Sequence, residues 1–328
     1  MPITRSMTAS NLLTAPAEPP RQAEVGYRQL EDRWSALTRK HAAAVSALVT
    51  EHDLAPMRSV REAARSLADQ APDGSLYHLI YLAAQEHLHY SSRHALLTLT
   101  ICRLSAALLG WSESRIESVE LAALTMNAAM AQLQDKLAAS GARPGNAEKA
   151  QIDGHSNEGA QLLRAAGLSD DDCIAAVIHH HEPPPVGPPP AMPPSAEVAT
   201  LLRTVDIFAA KLSRRGQRIP VSPLWAARET CLLNDAGPDR IGAAVIKALG
   251  LYPPGTLVKL ASREQGIVFR RGMRANNPLV AVMLDRDGMP GTKAAMRDTS
   301  DPRFAVASTV RIGSLKNRPP HERIFPGP

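Results

Sequence analysis

SSRHALLTLTICRLSAALLGW, residues 91–111, decides the fold class. Leu97, Ile101, Leu104 and Leu108 recur at offsets 0, 4, 7 and 11, the spacing of one helix face, with Ser91 or Ser92 placed to cap the start and Gly110 to stop the end. Its first turn carries His94. The next run, SESRIESVELAALTMNAAMAQLQDKLAASG (112–141), repeats the pattern through Ile116, Val119, Ala123, Met126 and Met130, which predicts one long helix ending at Gly141 with Met126 and Asn127 in its middle. Upstream, GYRQLEDRWSALTRKHAAAVSALV and REAARSLAD read as a helical N-terminal layer closed by a break at APDGS.

Downstream, ARPGNAEKAQIDG reads as a loop and His155–Ala166 as a short helix stopped by Gly167. Ser169 and Asp170–Asp172 supply the cap and acidic first turn of a further helix, CIAAVIHHHE, which ends in three histidines. The prolines of 183–194 exclude helix and central strand, predicting a stiff extended loop. SAEVATLLRTVDIFAAKLS then sets Leu202, Val205 and Ala209 on one helix face beside Asp206. From Gly255 the period changes: TLVKLAS, QGIVFR and PLVAVML are short strand-like runs separated by turn residues such as Asp287-Gly288.

Composition agrees with a mainly helical protein. Aromatic residues make up 4% of the 328, and Ala and Leu dominate the apolar set, which suits packed helices better than stacked sheets. Cys102, Cys173 and Cys231 are odd in number and in no metal-binding or redox spacing, so neither disulfides nor a thiolate zinc site is expected. No apolar run suggests a signal peptide or membrane span, and a cytoplasmic location is expected. The net charge is +5, and residues 263–323 hold twelve Lys and Arg against six Asp and Glu. That excess can attract nucleic acid, but no block of basic residues or aromatic stacking set accompanies it, so a solvated basic tail is expected instead.

The histidines and one aspartate carry the chemistry. A single histidine at a helix end caps carbonyls. As a set, His94, His155, His180 and His181 with Asp206 offer the imidazole and carboxylate ligands that Zn, Fe or Mn sites use, and a carboxylate among Leu202, Val205 and Ala209 needs a cation or donors. A salt bridge from Asp206 to Arg203 or Arg214 is the competing explanation.

In sequence order, these features resemble the HD-GYP branch of the HD superfamily. They are His94 in a helix, Ala122-Ala123-Leu124 some thirty residues on, His155, Ile178-His179-His180-His181-Glu182, Val205-Asp206-Ile207-Phe208, and LGLYPPGTLVKLASREQGIV at 249–268. The likeness spans about residues 85–290. It implies an HD-domain helical bundle and hydrolysis of cyclic di-GMP or a related cyclic dinucleotide by metal ions held on histidines and aspartates. By resemblance His94, His155, His180, His181 and Asp206 match ligand positions, and His179 does not.

The departures are concentrated. Where the family reads A-A-L-L-H-D-I-G-K, this chain has Met126, Asn127 and Met130 in place of His, Asp and Lys. The carboxylate that bridges two metals in the family is here an amide, a thioether is a weak ligand for hard cations, and Met130 offers no positive charge. Tyr90 stands where some members carry an acidic ligand, one turn before His94.

The resulting expectation is a mainly α protein: leader 1–22, N-terminal helical region 23–75, HD-GYP-like helical domain 76–254, small β appendage 255–291 and basic tail 292–328. Its expected role is a signalling protein without catalysis that keeps a partial metal or nucleotide pocket, holding one divalent Fe, Mn or Zn ion or none. A cyclic dinucleotide or a signalling protein is the expected partner, with no membrane contact, and a homodimer is one assembly the sequence leaves open. Two alternatives are a working cyclic di-GMP phosphodiesterase with a reduced metal site and a nucleic-acid binder acting through the basic C-terminal segment.

Overall fold

The computed structural model describes residues 25–183, 193–216, 218–231, 239–290, 295–311 and 318–326. Its helices are α1 (Tyr27–Glu51), α2 (Ala55–Gln70), α3 (Pro72–Gln85), α4 (Tyr90–Leu108), α5 (Glu113–Thr125), α6 (Ala131–Ser140), α7 (Asn146–Ala165), α8 (Asp171–His179), α9 (Pro194–Leu212), α10 (Pro223–Cys231), α11 (Arg240–Leu249) and the short α12 (His321–Ile324). The strands are β1 (Leu257–Leu260), β2 (Gln265–Arg270), β3 (Leu279–Leu284), β4 (Met296–Asp298) and β5 (Val306–Thr309). No described helix is long and apolar enough to cross a membrane.

Helix α4 is the axis of the bundle, packed against α3, α5, α9 and α11. Burial extends beyond the single face read from the sequence: Leu96, Leu97, Leu99 and Ile101 are all enclosed, whereas Leu108 is 44% exposed. Neighbours on every side explain this, and hydroxyls inside it turn back on the helix, as Thr100 does to the Leu96 carbonyl at 2.8 Å. Neither Ser91 nor Ser92 caps α4, for both lie within its first turn. The carboxylate of Asp135, reaching over from α6, accepts from the Ser91 N–H at 2.7 Å instead.

Other predicted elements shift in ways that matter for the site. The break near residue 71 is a single residue, because Pro72 opens α3 at a position where its missing N–H costs nothing. The long helix expected over 112–141 is broken: α5 stops at Thr125, Met126 and Asn127 form a turn, and a 3-10 turn at Ala128–Met130 leads into α6. Helix α7 begins at Asn146, nine residues before the predicted start, with the Glu148 carboxylate accepting from the Gly145 N–H at 2.8 Å. The cap of α8 is Asp170 and not Ser169, accepting from Cys173 N–H at 3.0 Å, and Asp171 and Asp172 form the acidic first turn. The leader 1–22 and residues 184–192 of the proline loop lie outside the described residues.

A buried charge cluster ties α2, α4 and α5 together. Glu120 on α5 is fully enclosed, and Arg103 donates to it at 2.8 Å while also gripping Asp69 through two bonds of 2.7 Å. Arg61 approaches the other side of Glu120 at 3.8 Å. Removing one charge of such a buried set leaves the others uncompensated.

The strands form one antiparallel sheet in the order β4-β3-β2-β1-β5. One face, with Leu257, Ile267, Phe269 and Met283, packs on Tyr27, Tyr77 and Tyr81 of α1 and α3; the other gathers Val258, Leu260, Val268 and Val280 against Phe304 and Val306. Segment 292–328, read as a tail, supplies β4, β5 and α12. Its strand signal is weak because β4 and β5 are short and half-exposed, so they show no run of apolar residues. Ile324 and Phe325 are buried against the tyrosines, and the Phe325 carbonyl accepts from Tyr27 N–H at 3.0 Å, fastening the C-terminal segment to the start of α1.

Gly255 joins sheet to bundle. Its φ is +90°, and a Cβ there would lie 2.8 Å from the Tyr77 carbonyl oxygen and 3.0 Å from the Tyr81 nitrogen. Gly255→Ala therefore combines backbone strain with a backbone clash. It should lower unfolding stability by about 1–3 kcal/mol or more, measured by urea denaturation.

Burial also holds His78 neutral, pushing its pKa down to about 3, with Arg93 and His321 adding to the effect. The unfolded chain protonates this residue below about pH 6.5. Its stabilising contribution is therefore whole above that pH and is lost as the pH falls toward 3. Between pH 7 and pH 5 the loss from this residue alone is about 2 kcal/mol. A His78→Asn variant should show a correspondingly smaller drop in unfolding free energy over that interval.

Candidate metal centre

Three histidines meet where α7 passes the end of α8. His155 lies midway along α7, His180 is the C-cap of α8 and His181 follows it. Pro183 stops α8 from continuing, so its last carbonyls need donors, and the histidines at the end provide one. His180 donates from Nδ1 to the Val177 carbonyl at 2.8 Å, and His155 donates from Nδ1 to the Ile152 carbonyl. A carbonyl can only accept, so both rings carry their proton on Nδ1 and leave Nε2 bare.

Those bare nitrogens converge. His155 Nε2 lies 3.4 Å from His180 Nε2 and 3.3 Å from His181 Nε2, and one ligand nitrogen from each ring falls within 4.8 Å of the other two. Burial pushes the His180 pKa down to about 4, reinforced by His181, and burial likewise lowers that of His155. Two neutral rings with facing lone pairs repel unless a proton or a cation lies between them. Imidazoles bound to one tetrahedral ion at roughly 2.0–2.1 Å stand about 3.4 Å apart, and that is the spacing of His155 to each of the other two rings. The donor set and its spacing fit a single divalent transition metal, with the Nδ1–H bonds orienting the ligands.

His94 and Asp206 form a separate pair beside this trio. His94 Nε2 donates to Asp206 Oδ1 at 2.7 Å, joining the first turn of α4 to α9. Burial alone would raise the Asp206 pKa, but the hydrogen bond and charge of His94, with the charges of His180 and His181, outweigh it and hold the carboxyl at about 2. Its negative charge is felt in turn at His155 and His180. The five residues predicted as ligands thus fall into a trio and an adjoining pair. Asp206 pairs with His94 and not with Arg203 or Arg214. His94 Nδ1 is buried and has no hydrogen-bond partner among the described residues. His179, outside the trio, pairs with Glu182 at 2.9 Å.

The substituted positions sit at the break after α5. Met126 is fully buried in the apolar core, and Met130 is buried as well. Asn127 occupies the turn at φ −108° and ψ 11°, and its buried Oδ1 has no partner among the described residues. This turn backs α7 at His155. Gln151 donates to the Ala129 carbonyl at 3.2 Å on one side, and on the other Gly159 stands against the Thr125 and Met126 carbonyls, each 3.8 Å from a Cβ built there.

Sequence reasoning missed the partner of Tyr90. Its ring stacks nearly parallel on His94, with centroids 5.6 Å apart, and its hydroxyl accepts from Arg215 Nε at 2.8 Å and from Nη2. The guanidinium also covers the ring at 4.7 Å. A fixed positive charge therefore flanks the side of His94 where the resemblance led to an expected acid. The four-residue spacing of Tyr90 and His94 was the visible signal; Arg215, 125 residues away, gave none.

No protein-family model matches the sequence, and no curated protein matches it. Among solved structures, the chain is similar to Bd1817, a HDG"Y"P protein from Bdellovibrio bacteriovorus, with 13% sequence identity and a TM-score of 0.50 over 67% of this chain and 71% of that one. The mainly helical bundle, its C-terminal sheet and this likeness together identify the fold of the chain as HD-GYP-like.

Proposed function

We propose that this protein is a signalling module of HD-GYP type that holds one divalent transition metal on His155, His180 and His181 and does not hydrolyse cyclic dinucleotides. The observation that carries the reading is the convergence of three ring nitrogens, two of them freed by Nδ1–H bonds to backbone carbonyls. His94 and Asp206 stand beside the trio as a hydrogen-bond donor and an ionised carboxylate, able to orient a further ligand or to complete the ion's surroundings. A bound ion would supply Lewis acidity toward a phosphate oxygen.

The chain's own residues argue against turnover. Bringing two cations together over a phosphodiester requires a negative bridging group, and Asn127 offers a neutral amide. Met126 is committed to the core, and Met130 brings no charge toward a phosphate. Arg215, fixed on Tyr90, adds a positive charge near His94 that disfavours a further cation there. Together these support binding of a metal and an anionic ligand, with a cyclic dinucleotide as the first candidate.

Titration with Co²⁺, followed by its visible absorption and by calorimetry, should give one ion per chain. His180→Ala should weaken binding by more than about 100-fold, since lost second-shell partners alone cost roughly 10–100-fold. The metal-loaded protein should leave a panel of cyclic dinucleotides intact. Turnover that disappears in His180→Ala would instead establish a working phosphodiesterase.

Restoring the pair with Met126→His and Asn127→Asp together should add a second metal equivalent at some loss of stability, because position 126 is fully enclosed. A stoichiometry fixed at one in the folded double variant would mean that the pair is not what limits the site.

A further inference from the structure

We propose that His41, in the middle of α1, is a positioning residue through which the N-terminal helix holds both arms of the metal pocket. This rests on the reading of the trio as a metal site, but its structural core can be tested separately.

His41 is 2% exposed and reaches two other helices. Its Nε2 lies 2.9 Å from the Leu124 carbonyl and its Nδ1 3.0 Å from Ser92 Oγ. The carbonyl can only accept, so the ring proton is on Nε2 and the Ser92 hydroxyl donates into Nδ1. Both bonds need the neutral ring in this tautomer. Burial favours the neutral ring, although the Leu124 bond and Asp135 act the other way.

The Leu124 bond accounts for the break after α5. In an unbroken helix that carbonyl would accept from the N–H of residue 128. Residues 112–140 contain no glycine or proline to stop a helix. His41 takes the carbonyl, and the chain leaves the helix through Met126 and Asn127 into the turn that backs His155. Through Ser92, two residues before His94, the same ring holds the first turn of α4, whose opening N–H is capped from α6 by Asp135. One imidazole thus braces the support of the trio and the support of the His94–Asp206 pair. A histidine merely filling the core would satisfy its nitrogens without linking these two segments, and a displacement of α1 would loosen both together.

The test compares His41→Leu, which removes both bonds, with His41→Gln, whose amide can donate to Leu124 and accept from Ser92. Hydrogen exchange is read peptide by peptide, beside Co²⁺ affinity. His41→Leu should speed exchange at 91–95 and 124–130 beyond any change elsewhere and weaken Co²⁺ binding by about tenfold, the scale of a lost orienting partner. His41→Gln should recover most of both. Should His41→Leu not fold, Ser92→Ala removes the hydroxyl alone and is expected to loosen 91–95 while 124–130 stays protected. Exchange that rises evenly across the chain, or stays at wild-type levels in these segments, overturns the proposal. Absence of Co²⁺ binding by the wild type would defeat the metal reading, and the exchange pattern would still decide the role of His41.

Discussion

A neutral imidazole enclosed by helices has one proton to place and one lone pair to satisfy, and where the proton goes decides what the ring can do. In His155 and His180 the proton is spent on a carbonyl of the ring's own helix turn, so the lone pairs are turned outward at each other across 3.4 Å. Burial keeps both rings neutral, and that leaves facing lone pairs short of a proton or a cation. The pocket follows from this shortage. A cation would complete it, and the spacing of His155 to its two neighbours is that of imidazoles around one transition-metal ion.

The rest of the bundle serves to hold that shortage in place. Helix α4 passes through the centre, so its first turn needs fastening from outside, and it receives it from Asp135, from His41 and from the Tyr90–Arg215 clasp. Farther along α4, Arg103 is bound into the Glu120 cluster with α2 and α5. Polar groups do this work inside an apolar bundle because each has its partner within hydrogen-bond distance; unpaired, each would oppose folding. Of the buried polar atoms with no hydrogen-bond partner among the described residues, two, His94 Nδ1 and Asn127 Oδ1, belong to residues beside the trio.

The C-terminal sheet extends the same logic to the chain ends. Gly255 lets the backbone press against α3, the sheet covers the tyrosines of α1 and α3, and the last described residues return to the first turn of α1. Helix α1 is thereby fixed at its start by the C-terminal segment and at its middle by His41. Its position is set by contacts far apart in the chain.

Periodicity alone showed a helical protein with a small β appendage, because the spacing of Leu97, Ile101, Leu104 and Leu108 has the helical period and the runs at 256–284 are short and strand-like. The resemblance added the five ligand candidates, of which the structure groups three as a trio and two as a pair. What the sequence did not reveal depends on partners distant along the chain. The break at Met126–Asn127 has no local breaker and depends on a histidine bonded to Leu124, 83 residues along the chain from it; β4, β5 and α12 lack apolar runs and form only against surfaces made elsewhere. Local pattern determines which residues can be helical and which face is apolar. Tertiary contact decides where a helix stops and which nitrogen of a ring is left bare, since both turn on where single hydrogen bonds go.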